Sequence, residues 1–226
     1  FFDIYKYSID SKKEERLTYD ARLYSPSYNQ KINKIVAVNQ YDGTSNIVVS
    51  NLLDTLSFSS ITNFKDGFQI FNADWASNGQ IIFDALSSSG HGRDIYLLSL
   101  ESSELTLFRD LIYDERDPYF NNRLGYYVWS EDRGGAFNLY VLGYDEKEYR
   151  QITDVAGGVF YPSISLEGKL AFSIFENGTY KLAIIDNFIN TELDISPNQN
   201  LNSNWDMFLK EANAKTNNIV QAGVEE

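Results

Sequence analysis

Hydrolytic chemistry needs a nucleophile, a base and a group that orients the base. This chain offers one histidine, no cysteine and no Gly-x-Ser-x-Gly elbow. His91 lies in Ser87-Ser88-Ser89-Gly90-His91-Gly92-Arg93, a run that reads as a hairpin loop, where an imidazole is ordinarily a solvated turn residue. One histidine without cysteine supplies too few ligands for zinc. Asp110, Asp114, Glu115 and Asp117, with backbone carbonyls, could hold a hard cation such as calcium through oxygen. Their spacing is not that of a known calcium loop, and the favoured reading is a solvated acidic loop between structural units. The inventory therefore implies no catalytic residue, no metal ligand and no cofactor. Asn177-Gly178-Thr179 matches a glycosylation acceptor, yet it reads more simply as a tight Asn-Gly hairpin turn.

Recognition chemistry is better represented. Arg116-Asp117-Pro118 combines a guanidinium with a carboxylate where a strand begins, and it either lines a binding face or ties neighbouring units by hydrogen bonds. Aromatic residues Tyr24, Phe68, Phe71, Tyr113, Phe160 and Tyr161 recur just before equivalent strands. They either present an interaction surface or pack between units. Arg116, Asp117, Tyr24, Trp75, Phe160 and Tyr161 form the candidate binding face.

Which elements would position these groups follows from the whole chain. Its 226 residues are enough for one substantial core, and an aromatic content of 15% with only one methionine favours strands over helices. Lys and Arg total 19 against 32 Asp and Glu, a net charge of −13 that repels phosphate backbones and anionic lipid, so nucleic acid is not an expected partner. Without cysteine there is no disulfide framework, and either redox compartment suits the chain. No apolar run approaches the ~18 residues of a membrane span, so direct membrane insertion by this segment is not expected. The opening Phe1-Phe2-Asp3-Ile4-Tyr5 already reads as a strand, which suggests a chain cut from a longer precursor whose signal peptide is not in this fragment.

An internal repeat decides the architecture. A polar residue followed by an aliphatic strand occurs at Asp3-Ile4-Tyr5, Asn46-Ile47-Val48-Val49, Asp94-Ile95-Tyr96, Asn138-Leu139-Tyr140 and, more weakly, Lys181-Leu182-Ala183, in steps of 43, 48, 44 and 43 residues. A second marker, aliphatic-Thr, recurs at Leu17-Thr18, Ile61-Thr62, Leu105-Thr106 and Ile152-Thr153, in steps of 44, 44 and 47. About ten residues after each comes a third: Ser25-Pro26-Ser27, Ala73-Asp74-Trp75, Asp117-Pro118-Tyr119 and Tyr161-Pro162-Ser163. Polar turns and apolar strands follow, among them Ile35-Val36-Ala37-Val38 and Tyr126-Tyr127-Val128-Trp129, giving four short strands per period.

Units of ~40–45 residues with four antiparallel strands are β-propeller blades, which bury by stacking the faces that one blade alone would expose. The expected fold is all-β, with about four and a half blades of a larger propeller over residues 1–195 and blade boundaries near 18, 62, 106 and 153. The Pro or Trp marker should lie on the innermost strand and the Asp/Asn-aliphatic marker on the third. Residues 196–226 read as an Asn-rich linker and a short helical tail capped by Ser203, or as a linker disordered in part.

These markers resemble the TolB-like propeller repeat of bacterial envelope proteins. Its turn survives best in Trp75-Ala76-Ser77-Asn78-Gly79-Gln80-Ile81 and Ile164-Ser165-Leu166-Glu167-Gly168-Lys169-Leu170, and its hairpin in Ser130-Glu131-Asp132-Arg133-Gly134-Gly135-Ala136-Phe137-Asn138-Leu139-Tyr140. The resemblance covers about residues 1–187. Tyr28-Asn29-Gln30-Lys31 and Asn121-Asn122-Arg123-Leu124 lack its Asp-Gly pair, so those turns are expected to be less tightly specified. The resemblance implies a non-catalytic scaffolding domain in the periplasm or an outer-membrane-associated envelope complex. Its partner would be another protein or another domain of the same precursor. The alternative is the accessory, substrate-gating propeller of a peptidase or hydrolase whose catalytic domain lies elsewhere.

Overall fold

A computed structural model describes residues 2–51, 57–77, 79–88, 90–108 and 112–191. The tail read over 196–226, and Asp110 of the acidic cluster, lie outside the described residues. Five antiparallel sheets follow one another along the chain, each with its strands in chain order. β1 (Tyr5–Ser8) and β2 (Lys13–Arg16) form a half sheet. The first full sheet comprises β3 (Leu23–Asn29), β4 (Lys34–Tyr41), β5 (Thr44–Asn51) and β6 (Ser57–Ser60). The second comprises β7 (Gln69–Trp75), β8 (Gln80–Leu86), β9 (Asp94–Ser99) and β10 (Leu105–Leu107). In the third are β11 (Glu115–Asn121), β12 (Tyr126–Glu131), β13 (Asn138–Gly143) and β14 (Arg150–Gln151). The last sheet has three described strands, β15 (Val159–Ile164), β16 (Leu170–Glu176) and β17 (Thr179–Ile185), followed by a single 3-10 turn, Phe188–Asn190. No helix among the described residues is long and apolar enough to cross a membrane.

Strand periodicity of two explains how the sheets stack. On β4, Ile35 and Ala37 face the layer shared with Ile4 and Leu17 of the half sheet, while Val36 and Val38 face the layer shared with Ile70, Ile81 and Phe83 of the second sheet. On β12, Tyr127 and Trp129 point back toward Ile82 and Ile95, and Val128 points forward toward Val159, Leu170 and Phe172. Each internal sheet is thus apolar on both faces, and successive sheets share their cores as propeller blades do. First strands of neighbouring sheets lie against one another, β3 on β7, β7 on β11 and β11 on β15, which makes them the inner strands. The Ser-Pro, Asp-Pro and Tyr-Pro pairs lie on those inner strands, and the Asp/Asn-aliphatic marker is on the third strand of each full sheet.

Two of the sequence markers turn out to be halves of one structure. Ile4, Ile47 and Leu139 each donate their backbone N–H to a threonine hydroxyl, Thr18, Thr62 and Thr153, at 2.8–2.9 Å. Each hydroxyl donates in turn to the acid or amide beside that aliphatic residue, Asp3, Asn46 or Asn138. A backbone bond from Leu17, Ile61 or Ile152 to the same aliphatic carbonyl completes the clasp. In the second sheet that bond comes from Phe108 to Ile95, so Leu105-Thr106 lies three residues out of register with the clasp despite its step of 44. Thr106 is exposed on β10.

Hairpins follow turn chemistry. Asn177-Gly178 joins β16 to β17 with φ of 52° and 78°, and Asp42-Gly43 joins β4 to β5 with 50° and 73°, both centres left-handed as a type I′ turn requires. The two turns lacking Asp-Gly are held by side chains. Asn29 Oδ1 accepts from the N–H of Lys31 at 3.0 Å, and Asn121 Oδ1 accepts from Arg123 and Leu124 at 3.1 and 2.9 Å.

Candidate functional site

All four inner strands bulge close to where they begin. Register slips between Tyr24 and Ser27, Ile70 and Asn72, Arg116 and Tyr119, and Phe160 and Ser163. In three of them the residue before proline, Ser25, Asp117 or Tyr161, is left-handed, with φ of 49°, 52° and 54°. Such backbone is strained for a non-glycine residue preceding proline, and bulges of this kind re-aim side chains. On β7 the bulge falls at Phe71 and has no proline.

These bulges turn side chains from successive sheets toward one another where the inner strands begin, the mouth of the inner-strand face. Ser25 Oγ accepts the N–H of Ala73 at 3.1 Å. Asp117 accepts Asn72 Nδ2 at 2.8 Å through one oxygen and the N–H of Tyr161 at 3.1 Å through the other. Behind it, the fully buried Asp84 of β8 pairs with Arg93 at 3.0 Å and accepts the N–H of Asn72 at 2.8 Å. Arg93 stands over the ring of Phe71, 3.4 Å from its centroid, and Arg116, paired with Asp114, stands 4.4 Å from that of Phe137. Phe160 packs on Phe137, and Tyr161 is 64% exposed.

Burial and the neighbouring Asp84 carboxylate push Asp117 up to about 6, against lowering by its hydrogen bond and by Arg93 and Arg116. Burial pushes Asp84 up as well, opposed chiefly by Arg93. The reading of a solvated acidic loop therefore does not describe Glu115 and Asp117, which are 0% and 7% exposed.

The six residues of the sequence-derived face fall into two environments. Arg116, Asp117, Phe160 and Tyr161 converge on the mouth. Tyr24 is half-buried, its hydroxyl donating to Ile70 O at 2.5 Å, and Trp75 is buried between the first and second sheets, its Nε1 donating to Ser27 O at 3.0 Å. Asp84, Asn72, Arg93 and Phe137 escaped the sequence reading. Asp84 carried a usable signal, a lone acid within the apolar run Ile81-Ile82-Phe83-Asp84-Ala85-Leu86. His91 is exposed in the β8–β9 connection, and no group of three or more potential metal ligands gathers among the described residues. A separate open groove of about 460 Å³ runs along the rim of the third sheet, where Arg133 lies among Tyr113, Tyr140 and Tyr149 and pairs with the buried Glu131.

Fold and face together define the class: a β-propeller assembly of stacked four-stranded blades with an arginine–aromatic surface at the mouth of its inner strands. Among solved structures it is similar to TolB from Acinetobacter baumannii (20% identity, TM-score 0.63, 84% of this chain and 47% of that one) and to a putative TolB from Agrobacterium tumefaciens (15%, 0.66, 80% and 69%). It is also similar to puromycin hydrolase (12%, 0.61, 79% and 29%). At these identities the likeness shows the fold, a TolB-like propeller, and the chain spans about half the length of the Acinetobacter protein. No protein-family model matches the chain and no curated sequence is similar to it at a significant level.

Proposed function

We propose that this chain is a non-catalytic protein-interaction domain of a bacterial envelope protein, working in the periplasm or at the outer membrane. The mouth of its inner strands is presented to a protein partner or to another domain of its own polypeptide. The observation that carries this reading is the pairing of Arg93 with Phe71 and Arg116 with Phe137 beside the exposed Tyr161. Arginine and tyrosine dominate binding hot spots because they combine large contact area with directed polar groups, and rings that already hold the guanidiniums reduce the ordering cost of contact. The net charge of −13 argues against nucleic acid, and the TolB-like repeat supports the envelope location. A photo-crosslinking residue at Tyr161 should capture a protein in the bacterial envelope. The same residue at Tyr28, 55% exposed at the opposite end of an inner strand, should not. Equal capture at both positions, or turnover of peptide or ester substrates by this chain, would count against the reading.

A second reading, an accessory propeller that gates substrate for a hydrolase, is favoured by the likeness to puromycin hydrolase. A crosslink from Tyr161 to a hydrolase domain would decide for it.

A further inference from the structure

The last sheet keeps the ladder of its neighbours without their outer strand. Across the first sheet Tyr24 pairs with Val38 and Val38 with Ile47; across the third, Arg116 pairs with Ser130 and Ser130 with Leu139. In the last, Phe160 pairs with Ser173 and Ser173 with Leu182, so Leu182 holds the place of Ile47 and Leu139. Those two residues turn both backbone groups toward a fourth strand. The N–H of each donates to a threonine hydroxyl, and the carbonyl of each accepts from the residue before that threonine. Leu182 turns the same two groups outward, and no strand among the described residues receives them.

The clasp of the other sheets cannot form here. Lys181 stands where Asp3, Asn46 and Asn138 accept the threonine hydroxyl, and its ammonium is paired with Glu176 instead. Beyond Ile185 the chain is drawn away from the edge. Phe188 is fully buried against Tyr126 of the third sheet, and Arg150 donates to the carbonyls of Phe188, Ile189 and Thr191. β17 is therefore an open edge strand, with Tyr180, Leu182 and Ile184 all more than half exposed. Unpaired backbone groups along such an edge are a template for another strand.

We propose that the edge of β17 pairs with β17 of a second copy of this chain, antiparallel about a two-fold axis at Leu182. The strand is its own complement in that register. Leu182 faces Leu182 of the second copy and Tyr180 faces its Ile184, so apolar side chains meet on one face, while Lys181 faces Ala183, so no like charges are directly opposed. The backbone matches as well. A period of two turns Tyr180, Leu182 and Ile184 outward together, and opposed residues that both point outward exchange both hydrogen bonds. Charge favours this edge, since Lys181–Glu176 and Lys169–Asp186 leave it neutral while two molecules of charge −13 repel elsewhere. An edge of 7 residues is small beside the roughly 1,200 Å² that stable complexes bury, so the dimer forms as concentration and salt rise. The inference is independent of what the mouth of the inner strands binds.

The chain contains no cysteine, so single cysteines read the register. Across the two-fold, Cα atoms at position 182 lie about 5.5 Å apart, within disulfide range, whereas those at position 179 lie roughly 20 Å apart. In the full chain at high salt, Leu182→Cys should therefore oxidise to a covalent dimer about tenfold faster, or more, than the exposed control Thr179→Cys. In sedimentation equilibrium, wild type should reach a dimer and stop there. Leu182→Pro removes an outward N–H that β16 does not use, and it should stay monomeric with little change in melting temperature. Should the proline variant fold poorly, the cysteine pair decides alone. Equal oxidation at both positions, assembly beyond the dimer, as pairing of β17 with the edge of β1 would give, or a wild type that stays monomeric at high protein and salt concentration would overturn the proposal.

Discussion

At the residue scale, two carboxylates of the described chain are handled in opposite ways. Asp117 is crowded by a second acid, whereas Asp3 is surrounded by donors. Burial would raise Asp3, but the N–H of Ala21, the guanidinium of Arg16 and the hydroxyl of Thr18 outweigh it and hold the carboxyl at about 2. The folded value lies below the unfolded one, so the stabilisation is present above about pH 4 and is lost as pH falls through 2. Wild type should therefore be more stable than Asp3→Asn at pH 6 in urea titrations, and the two curves should converge by pH 2. A difference that persists unchanged at pH 2 would show that Asp3 acts by packing rather than by charge. Asp3 was legible from the sequence only as a repeat marker. Its ionic role needed Arg16, thirteen residues away, and position in the repeat says nothing about which donors converge on it.

At the element scale, the clasp explains why two markers recur at one period: the hydroxyl of one satisfies both the amide N–H and the acid or amide of the other. Thr153 is 7% exposed, and Thr153→Val leaves Leu139 N–H without its acceptor and Asn138 Oδ1 with only the N–H of Val155, which should cost roughly 1–3 kcal/mol. Thr106→Val should fall within about 0.5 kcal/mol of wild type, since the exposed Thr106 is outside the clasp. Chemical denaturation of the pair checks the register directly, and equal losses would restore Leu105-Thr106 to the marker series. The sequence placed the inner and third strands because alternation and proline leave few options for a buried strand. It missed the second sheet's register because aliphatic-Thr is a two-residue pattern, and only the Phe108–Ile95 backbone bond distinguishes the residues in register from a chance match nearby. It also undervalued the turns at Asn29 and Asn121, where an amide side chain bonding its own backbone does the work expected of Asp-Gly. Close approach constrains another turn. A Cβ on Gly157 would lie 1.8 Å from the carbonyl oxygen of Phe175, so Gly157→Ala should displace the entry to β15 and lower the melting temperature by several degrees. A melting temperature unchanged by that substitution would mean that the β15–β16 contact yields without cost.

At the scale of the whole molecule, the pattern that builds the core also marks where it is uncovered. Ile47 and Val49, Ile95 and Leu97, and Leu139 and Val141 all point from a third strand into the layer shared with the following sheet. The same positions of the last sheet, Leu182 and Ile184, are 76% and 58% exposed, with Tyr180 beside them at 62%. β17 carries the apolar outward face of an internal blade, and among the described residues nothing lies on it. The ion pairs Lys169–Asp186 and Lys181–Glu176 neutralise the charges of this sheet. A locally neutral, apolar sheet face on a chain of net charge −13 is expected to favour self-association that salt strengthens rather than weakens, since salt screens the repulsion between whole molecules and leaves apolar attraction intact. Leu182→Lys with Ile184→Lys should therefore leave the melting temperature close to wild type, because neither side chain is buried, while reducing concentration-dependent self-association in sedimentation equilibrium at high salt. Self-association unchanged by the double substitution would place the sticky surface elsewhere. A large fall in melting temperature would show that this face is already covered within the chain.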